Sequence, residues 1–500
     1  VIPIADPVDA GSLLLVLIII LPIAGAMLVL LANHRHSFRI VLATGAATLV
    51  VACLITLQIH GMQVPLVALL GGWQPPLGLA LRADGLSAVL ILLSALLVPA
   101  TALFAQADMA STATEARRPL MFWILLLALW CALNIVFVSS DFFNLFVALE
   151  LLTFSAVPLV CLDGKPRALA AALRYLMFAL FGSALYLLGI ALLYGAYGVL
   201  DIQLLSTLVS DEPVAWCALA IMTAGLLAKS ALFPLYLWLP AAHSGAPAAA
   251  SAVLSALVVK ASFVIVLRLW VDVAPEEMAS AAAPMLGALG AAAILFASLI
   301  AMRQPRLKLM VAYSTLAQLG YLFLVFPLLQ GGAWASVAWT GMTLQLVSHA
   351  FAKAAMFMAA GLVAQAFGHD RIAAMGGCAR SLPIPFLAFA LAGLSLVGLP
   401  PSGGFSAKWL LLTAAAAQEQ WWLAITILVG GILAGGYIFR VVGLAFGGPD
   451  AAPRLLQTPR RGPQIVVLGL ALVAIALGFL PQAVLDISMI GQSFNDGAVQ

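Results

Sequence analysis

Five side chains stand where an apolar stretch should hold none. Glu150 follows Phe143-Asn-Leu-Phe-Val-Ala-Leu, and Lys229 precedes a proline-interrupted run. Lys260 is central in one long apolar segment, Lys353 is central in another, and Lys408 follows a double proline. His349 precedes Lys353 by four residues, one turn away on the same helical face. Burial disfavours the charged form of an acid or an amine, so such groups can gain and lose protons near neutral pH. Glu150 lies nine residues past Asp141. At 1.5 Å per residue it is roughly 13 Å deep, near the middle of a ~30 Å hydrocarbon core. An ionisable group there costs about 2.5–3.5 kcal/mol on insertion scales. The chemistry expected of Glu150, Lys229, Lys260, His349, Lys353 and Lys408 is passage of a proton or cation laterally through the bilayer centre.

Plainer alternatives stay open at this level. Glu150 and Lys229 could form a static ion pair that fixes helix packing. Lys260 could snorkel, although both helix ends are far away. His349 with Lys353 could be a structural hydrogen-bonded pair, and Lys408 could reach water through its helix break. His243, in Ala241-Ala-His-Ser-Gly-Ala-Pro247, reads equally as a loop histidine or a point of proton uptake. Lys308, near Tyr313 and Ser314, reads first as a positively charged anchor and second as an auxiliary group. His34, His36, His60 and His369 fall near boundaries. Cys53, Cys131, Cys161, Cys217 and Cys378 are scattered, with no CxxC spacing. No metal-ligand cluster, phosphate loop or nucleophile triad appears, so neither a metal nor a cofactor is expected, and no residue is assigned a catalytic role.

The elements that must position these groups follow from composition. Of 500 residues, 64% are hydrophobic and 8% charged, and mean hydropathy is +1.15. Soluble chains are about half apolar and a quarter charged, so soluble enzymes, nucleic-acid binders and disordered scaffolds are excluded. The apolar runs are continuous and do not alternate, which excludes a β-barrel. The expectation is an all-α polytopic membrane protein, a single membrane domain over 1–500. Fourteen helices are predicted near 12–32, 38–60, 84–106, 119–138, 142–162, 168–198, 214–242, 246–271, 281–302, 308–329, 337–366, 383–418, 421–445 and 464–482.

Loop charges test that count. With the N-terminus outside, the odd-to-even loops hold Arg35, Arg39, Arg117, Arg118, Lys165, Arg167, Arg174, Arg303, Arg306, Lys308, Arg371, Arg380, Arg440, Arg454, Arg460 and Arg461. These are 16 of the 22 basic residues, against Arg82 and Arg268 opposite. The positive-inside rule then puts both termini outside a cell inner (cytoplasmic) membrane. Residue 1 is Val, so the start is expected to be trimmed. Two predicted helices are interrupted, the seventh at Pro234 and Pro240 and the twelfth at Pro400 and Pro401. Freed carbonyls survive only against protein or a wet cavity. Breaks five helices apart suggest inverted repeats with a pathway at their interface, although a mere packing kink would look the same.

Five segments carry a family resemblance. They are Phe143 to Glu150, Lys229-Ser-Ala-Leu-Phe-Pro-Leu-Tyr-Leu-Trp-Leu-Pro-Ala-Ala-His243, Ser251-Ala-Val-Leu-Ser-Ala-Leu-Val-Val-Lys260, Arg306-Leu-Lys-Leu-Met-Val-Ala-Tyr-Ser314 and Gly398-Leu-Pro-Pro-Ser-Gly-Gly-Phe405. Together they resemble the proton-conducting antiporter-like membrane subunits: the D-type subunit of Mrp cation/proton antiporters, and those of respiratory complex I and membrane-bound hydrogenases. The resemblance spans about residues 75–450 and is specific in combination. It implies fourteen helices, with inverted repeats over 119–271 (helices four to eight) and 281–445 (helices nine to thirteen). By motif, Glu150 resembles the glutamate that tunes Lys229, and Lys260 the connecting relay lysine. His349 and Lys353 resemble the eleventh-helix relay, Lys408 the terminal group, and His243 the histidine after the seventh helix. Ala241 stands where the family often has an acid, and Lys408 where some complex I subunits have Glu. The long lateral arm of the largest paralogue is missing. Gly71-Gly-Trp-Gln-Pro-Pro76 leading to Asp84-Gly-Leu-Ser is closest to the Mrp D type.

Two functions follow as expectations. One is a subunit exchanging protons for sodium or another cation. The other is a proton-pumping module of an NADH:quinone oxidoreductase-like or membrane-bound hydrogenase complex, with the redox chemistry on other chains. Both imply other membrane subunits as partners and no nucleic acid. A structural scaffold leaves the mid-membrane charges unexplained.

Overall fold

Long apolar runs fold as helices because hydrocarbon offers the backbone no partner, so each segment must pair its own N–H and C=O groups. The computed structural model describes residues 10–32, 34–109, 117–330, 332–447, 455–480 and 482–492. Arg454 and both chain termini lie outside these described residues. Among them, thirteen helices are long and apolar enough to cross a membrane. The broken pair Pro383–Val397 and Gly403–Ala417 fills the twelfth place in the predicted order.

The interruptions fall where the prolines stand. The seventh span, expected over 214–242, ends as a helix at Pro213–Ser230 and leaves it through Ala231 at φ 57°. It resumes as the short helix Leu239–Gly245. Phe233–Pro234 and Pro400–Pro401 are cis. The eighth span, Ala248–Val273, is continuous but not uniform, with π turns at Leu254–Val258 and Leu269–Val273. One element goes beyond the all-helical expectation. Between the second and third spans, Leu66–Leu69 pairs antiparallel with Ala80–Ala83, Leu66 opposite Ala83. Gly71-Gly and Pro75-Pro in the connection are its turn signal.

Burial sorts the spans into layers. The most apolar window is 100% buried in the eighth span and 89% buried in the tenth (Leu307–Leu329) and eleventh (Gly332–Phe367). It is 33% buried in the first (Gly11–Leu31) and last (Arg461–Phe479). Lys260 and Lys353 therefore sit on the innermost helices, and neither reaches lipid or water. The sixth span (Pro166–Tyr197) meets the seventh at the backbone itself. A Cβ on Gly182 would lie 2.6 Å from Gly225 O, and one on Gly225 would collide with Gly182 O. Small residues permit this approach, and it brings Ser183 and Lys229 within reach of Glu150.

A buried ion cluster closes the end that carries the hairpin. By sequence Arg268 is an outer-loop charge, but its side chain is only 13% exposed. It donates to Asp84, to Asp272 at 3.1 Å and to Ser87 Oγ at 3.2 Å. The reason is Asp84, which is wholly buried and leaves a charge needing a partner. Beside it, Gly85 N donates to Ile490 O at 2.9 Å, tying the third span to the last described segment. Burial alone would raise the Asp84 pKa, but Arg268, Arg82 and the Ser87 N–H outweigh it and bring it down from 3.8 to about 2.

A group depressed in this way contributes stability that is present above its unfolded pKa and lost as pH falls through the folded one. Asp84→Asn should therefore melt lower than wild type in detergent at neutral pH. The gap should hold down to the ordinary carboxylate value of 3.8 and close as pH approaches about 2. Melting curves of the two proteins across pH 2–7 check this.

Candidate functional site

Glu150 and Lys229 meet. Asp141 caps the fifth span (Phe142–Val160), its Oδ1 accepting from Asn144 N at 2.8 Å, and sets the depth of Glu150 two and a half turns on. Lys229 Nζ, in the last turn before the seventh-span break, donates to Glu150 Oε1 at 3.1 Å and to Thr153 Oγ1 at 3.2 Å. Ser183 from the sixth span donates to the same carboxylate oxygen. Lys229 is 5% exposed by side chain and Glu150 is 19% exposed. The pair is thus held by two hydroxyls as well as by charge.

Among the described residues, Lys260, Lys353 and Lys408 find no carboxylate. Lys260 Nζ donates to Ala256 O, inside the first π turn of its own span. Lys353 Nζ donates to Val311 O at 3.1 Å and to Ser314 Oγ, both on the tenth span. Lys408 Nζ donates to Leu396 O at 2.6 Å and Val397 O at 3.1 Å, where the first half of the twelfth span ends. It also lies 4.4 Å from the centre of the Tyr321 ring. Gly398 admits this side chain. Its φ is +87°, and a Cβ there would lie 2.8 Å from Lys408 Cδ.

His349 is the meeting point. Its ring is buried, and neither nitrogen has a protein hydrogen-bond partner. The charges of Lys260, Lys353 and Lys408 all act on it. His349 and Lys353 are therefore not bonded to each other, as the structural-pair alternative required. Among the described residues, no hydrogen bond bridges the Glu150–Lys229 pair to Lys260.

The auxiliary candidates form a second approach. His243 is fully buried on the short helix after the seventh-span break, so it is not a loop histidine. Its Nδ1 lies 3.0 Å from Leu239 O, and its Nε2 has no protein partner. It feels both Lys353 and Lys308. Lys308 is half-buried and donates to Ala246 O at 2.6 Å. It lines a cavity of about 1040 Å³ together with Arg118, Asp163, Lys165, Arg306 and Asp370. Residues from every odd-to-even connection from the third span onward open onto this one cavity, as the charge alternation required. Lys308 on this cavity and Lys353 in the core both act on His243 through their charge, and among the described residues no hydrogen bond joins the three.

Several residues here escape a reading of the sequence: Ser183, Thr153, Gln318, Gln345 and Tyr321. Gln345 carries a readable signal, because it lies one helical turn before His349 in an apolar span. Ser183 and Thr153 carry none, because lone hydroxyls are common in spanning helices and usually bond their own backbone.

The fold and site define a polytopic helical membrane protein with two interrupted spans, a Glu150–Lys229 ion pair and three further buried lysines. Residues 139–434 match the family described as NADH:quinone oxidoreductase/Mrp antiporter, transmembrane, and the chain belongs to it. It is 33% identical to the N subunit of NADH-quinone oxidoreductase from Desulforudis audaxviator over 86% of each chain. It is 27% identical to the D subunit of the Na(+)/H(+) antiporter from Alkalihalophilus pseudofirmus, over 95% of this chain and 96% of that one. It superposes with a TM-score of 0.86 and 27% identity on a chain of the membrane-bound sulfane sulfur reductase, an archaeal respiratory membrane complex, covering 97% of this chain and 98% of that one. These relatives are subunits of multi-subunit membrane complexes. The chain is an antiporter-like membrane subunit of an Mrp, complex I or related complex.

The tight fit at Gly398 makes a stability prediction. Gly398→Ala forces a left-handed alanine, costing roughly 1–2 kcal/mol, against the Lys408 stem. Gly443→Ala, which meets nothing within 4 Å, should be neutral or mildly stabilising. Thermal unfolding of the two variants in detergent should separate them clearly.

Proposed function

We propose that this chain carries protons along a mid-membrane line of Glu150, Lys229, Lys260, His349, Lys353 and Lys408. The observation that carries this reading is His349. A buried imidazole with no protein partner, on which the charges of three buried lysines act, suits a group that gains and loses a proton in turn with them. A purely structural histidine would be expected to have a hydrogen-bond partner. In this reading a proton is taken up from the large cavity by way of Lys308 and His243, or near Lys260. It moves among the central groups and leaves near Lys408. Pairing of Lys229 with Glu150 alternates with its release, so each occupancy changes the affinity of the next site. Breaks at Pro234, Pro240, Pro400 and Pro401 supply the loosened backbone, within inverted repeats over 119–271 and 281–445. The chain sits in a cell inner membrane with the cavity facing the cytoplasm, as the basic residues around it favour, and with both termini outside.

For the host complex we favour an Mrp-type cation (Na+)/proton antiporter, with this chain as its D-type component. Support comes from the near full-length likeness to an antiporter D subunit and from the lysine at position 408. The second reading is a proton-pumping subunit of an NADH:quinone oxidoreductase-like complex, favoured by the higher identity to an N subunit. Purifying the complex and identifying its subunits separates them: small membrane partners for the first, iron–sulfur and flavin subunits for the second.

Replacing Lys229 or Glu150 by Ala should abolish coupled proton transport in vesicles while the complex still assembles. Proton flux unchanged in either variant would falsify the route.

A further inference from the structure

Lys408 is gripped by more than its two carbonyls. Leu396 O and Val397 O belong to the last turn of the helix Pro383–Val397, whose terminal carbonyls lack helical partners. Gln318 Nε2 donates to the same Leu396 O at 3.1 Å, so amide and ammonium share one acceptor. The Gln318 Oε1 accepts from Gln345 Nε2 at 2.8 Å. Gln318 and Tyr321 are three residues apart on the tenth span and so present one face to Lys408. The Tyr321 ring is pinned by its hydroxyl, which donates to Ile427 O at 3.2 Å, and Gly430 clears the space it fills. Gln318, Tyr321, Gln345 and Lys408 are all buried.

Neither amide can carry a proton through the site, so their part lies in holding its neighbours. A ring face attracts an ammonium and gives a neutral amine almost nothing. A carbonyl binds an ammonium more strongly than an amine for the same reason. When Lys408 is neutral its grip on Leu396 O weakens, and Gln318 can take that oxygen alone. Gln318 then pulls on Gln345, one turn from His349. The titratable groups facing this assembly are Tyr321 of the tenth span, His349 of the eleventh and Tyr437 of the thirteenth, which neighbours Gln318 and Tyr321. No carboxylate among the described residues pairs with Lys408.

We propose that Gln318 and Tyr321 are positioning residues for Lys408. Tyr321 faces its protonated side chain in the twelfth-span break, and Gln318 competes with it for Leu396 O, which ties the state of Lys408 to the Gln345 amide one turn from His349. This rests on Lys408 being a member of the proton route.

The test measures proton flux against pH in vesicles holding the assembled complex. Lys408→Ala comes first, and full flux in that variant removes the route itself. Given loss of flux there, Tyr321→Leu and Gln318→Met should each slow transport several-fold. The half-maximal pH should move by roughly half a unit or more, to lower values in Tyr321→Leu, which loses the ring beside the ammonium, and to higher values in Gln318→Met, which leaves Leu396 O to Lys408 alone. Tyr321→Phe keeps the ring and should restore the wild-type profile. Wild-type pH profiles in both Tyr321→Leu and Gln318→Met overturn the proposal while leaving the route standing. So does a Tyr321→Phe profile displaced as far as that of Tyr321→Leu. If Tyr321→Leu does not accumulate, Gln318→Met decides alone, and an unshifted profile there overturns it.

Discussion

An ammonium inside a membrane must find oxygen, and a regular helix has little to give. Each carbonyl in mid-helix already accepts from four residues on, so strong acceptors gather at helix ends, irregular turns and side chains. That constraint accounts for much of this structure. Lys408 takes two carbonyls at the end of a half-helix, and Lys260 takes one inside a π turn. Lys353 borrows Val311 O and adds the Ser314 hydroxyl, while Lys229 has a carboxylate. The interruption of the twelfth span and the first π turn of the eighth supply the carbonyls that Lys408 and Lys260 use. They are the means by which the chain carries charge at a depth where each ionisable group costs about 2.5–3.5 kcal/mol.

The distribution of partners divides the line into unlike parts. Glu150 and Lys229 can both be charged and still be nearly neutral as a pair. Lys260, Lys353 and Lys408 have no carboxylate among the described residues; the charge of Lys260 acts on Lys353, and all three act on His349. A proton arriving at one of them therefore weakens the hold of His349 on its own. The hydroxyls of Ser183 and Thr153 keep the first pair oriented, and the Gly182–Gly225 contact keeps the sixth and seventh spans close enough for them to do so.

Much of this was legible in the sequence because a membrane makes polarity conspicuous. Glu150, Lys229, Lys260, Lys353 and Lys408 could be named from their surroundings, and Pro234 and Pro400 marked the breaks. Helix limits agreed within a few residues, apart from the early end of the seventh helix and the early starts of the ninth and eleventh. What could not be read was pairing across the chain. Arg268 looked like a boundary charge because Asp84 is 184 residues away in sequence. Gln318 and Gln345 meet only because the tenth and eleventh spans pack side by side. A π turn has no sequence signal in Leu254–Val258, whose residues would suit a regular helix equally well.

The two proposed host readings differ in what would drive the proposed line, and the geometry is compatible with either. A chain of sites whose affinities depend on their neighbours converts a push at one end into a release at the other, whatever supplies the push. Within the proposed line and among the described residues, the Glu150–Lys229 pair alone joins opposite charges, on spans five and seven, so it is the element an external partner could bias. The carbonyl-held lysines only respond. Ser183 belongs to the sixth span, which packs on the fifth and seventh, so a neighbouring subunit acting on the sixth span would reach that pair directly. In the proposed route the buried helices could then keep their arrangement while the outer ones meet different partners.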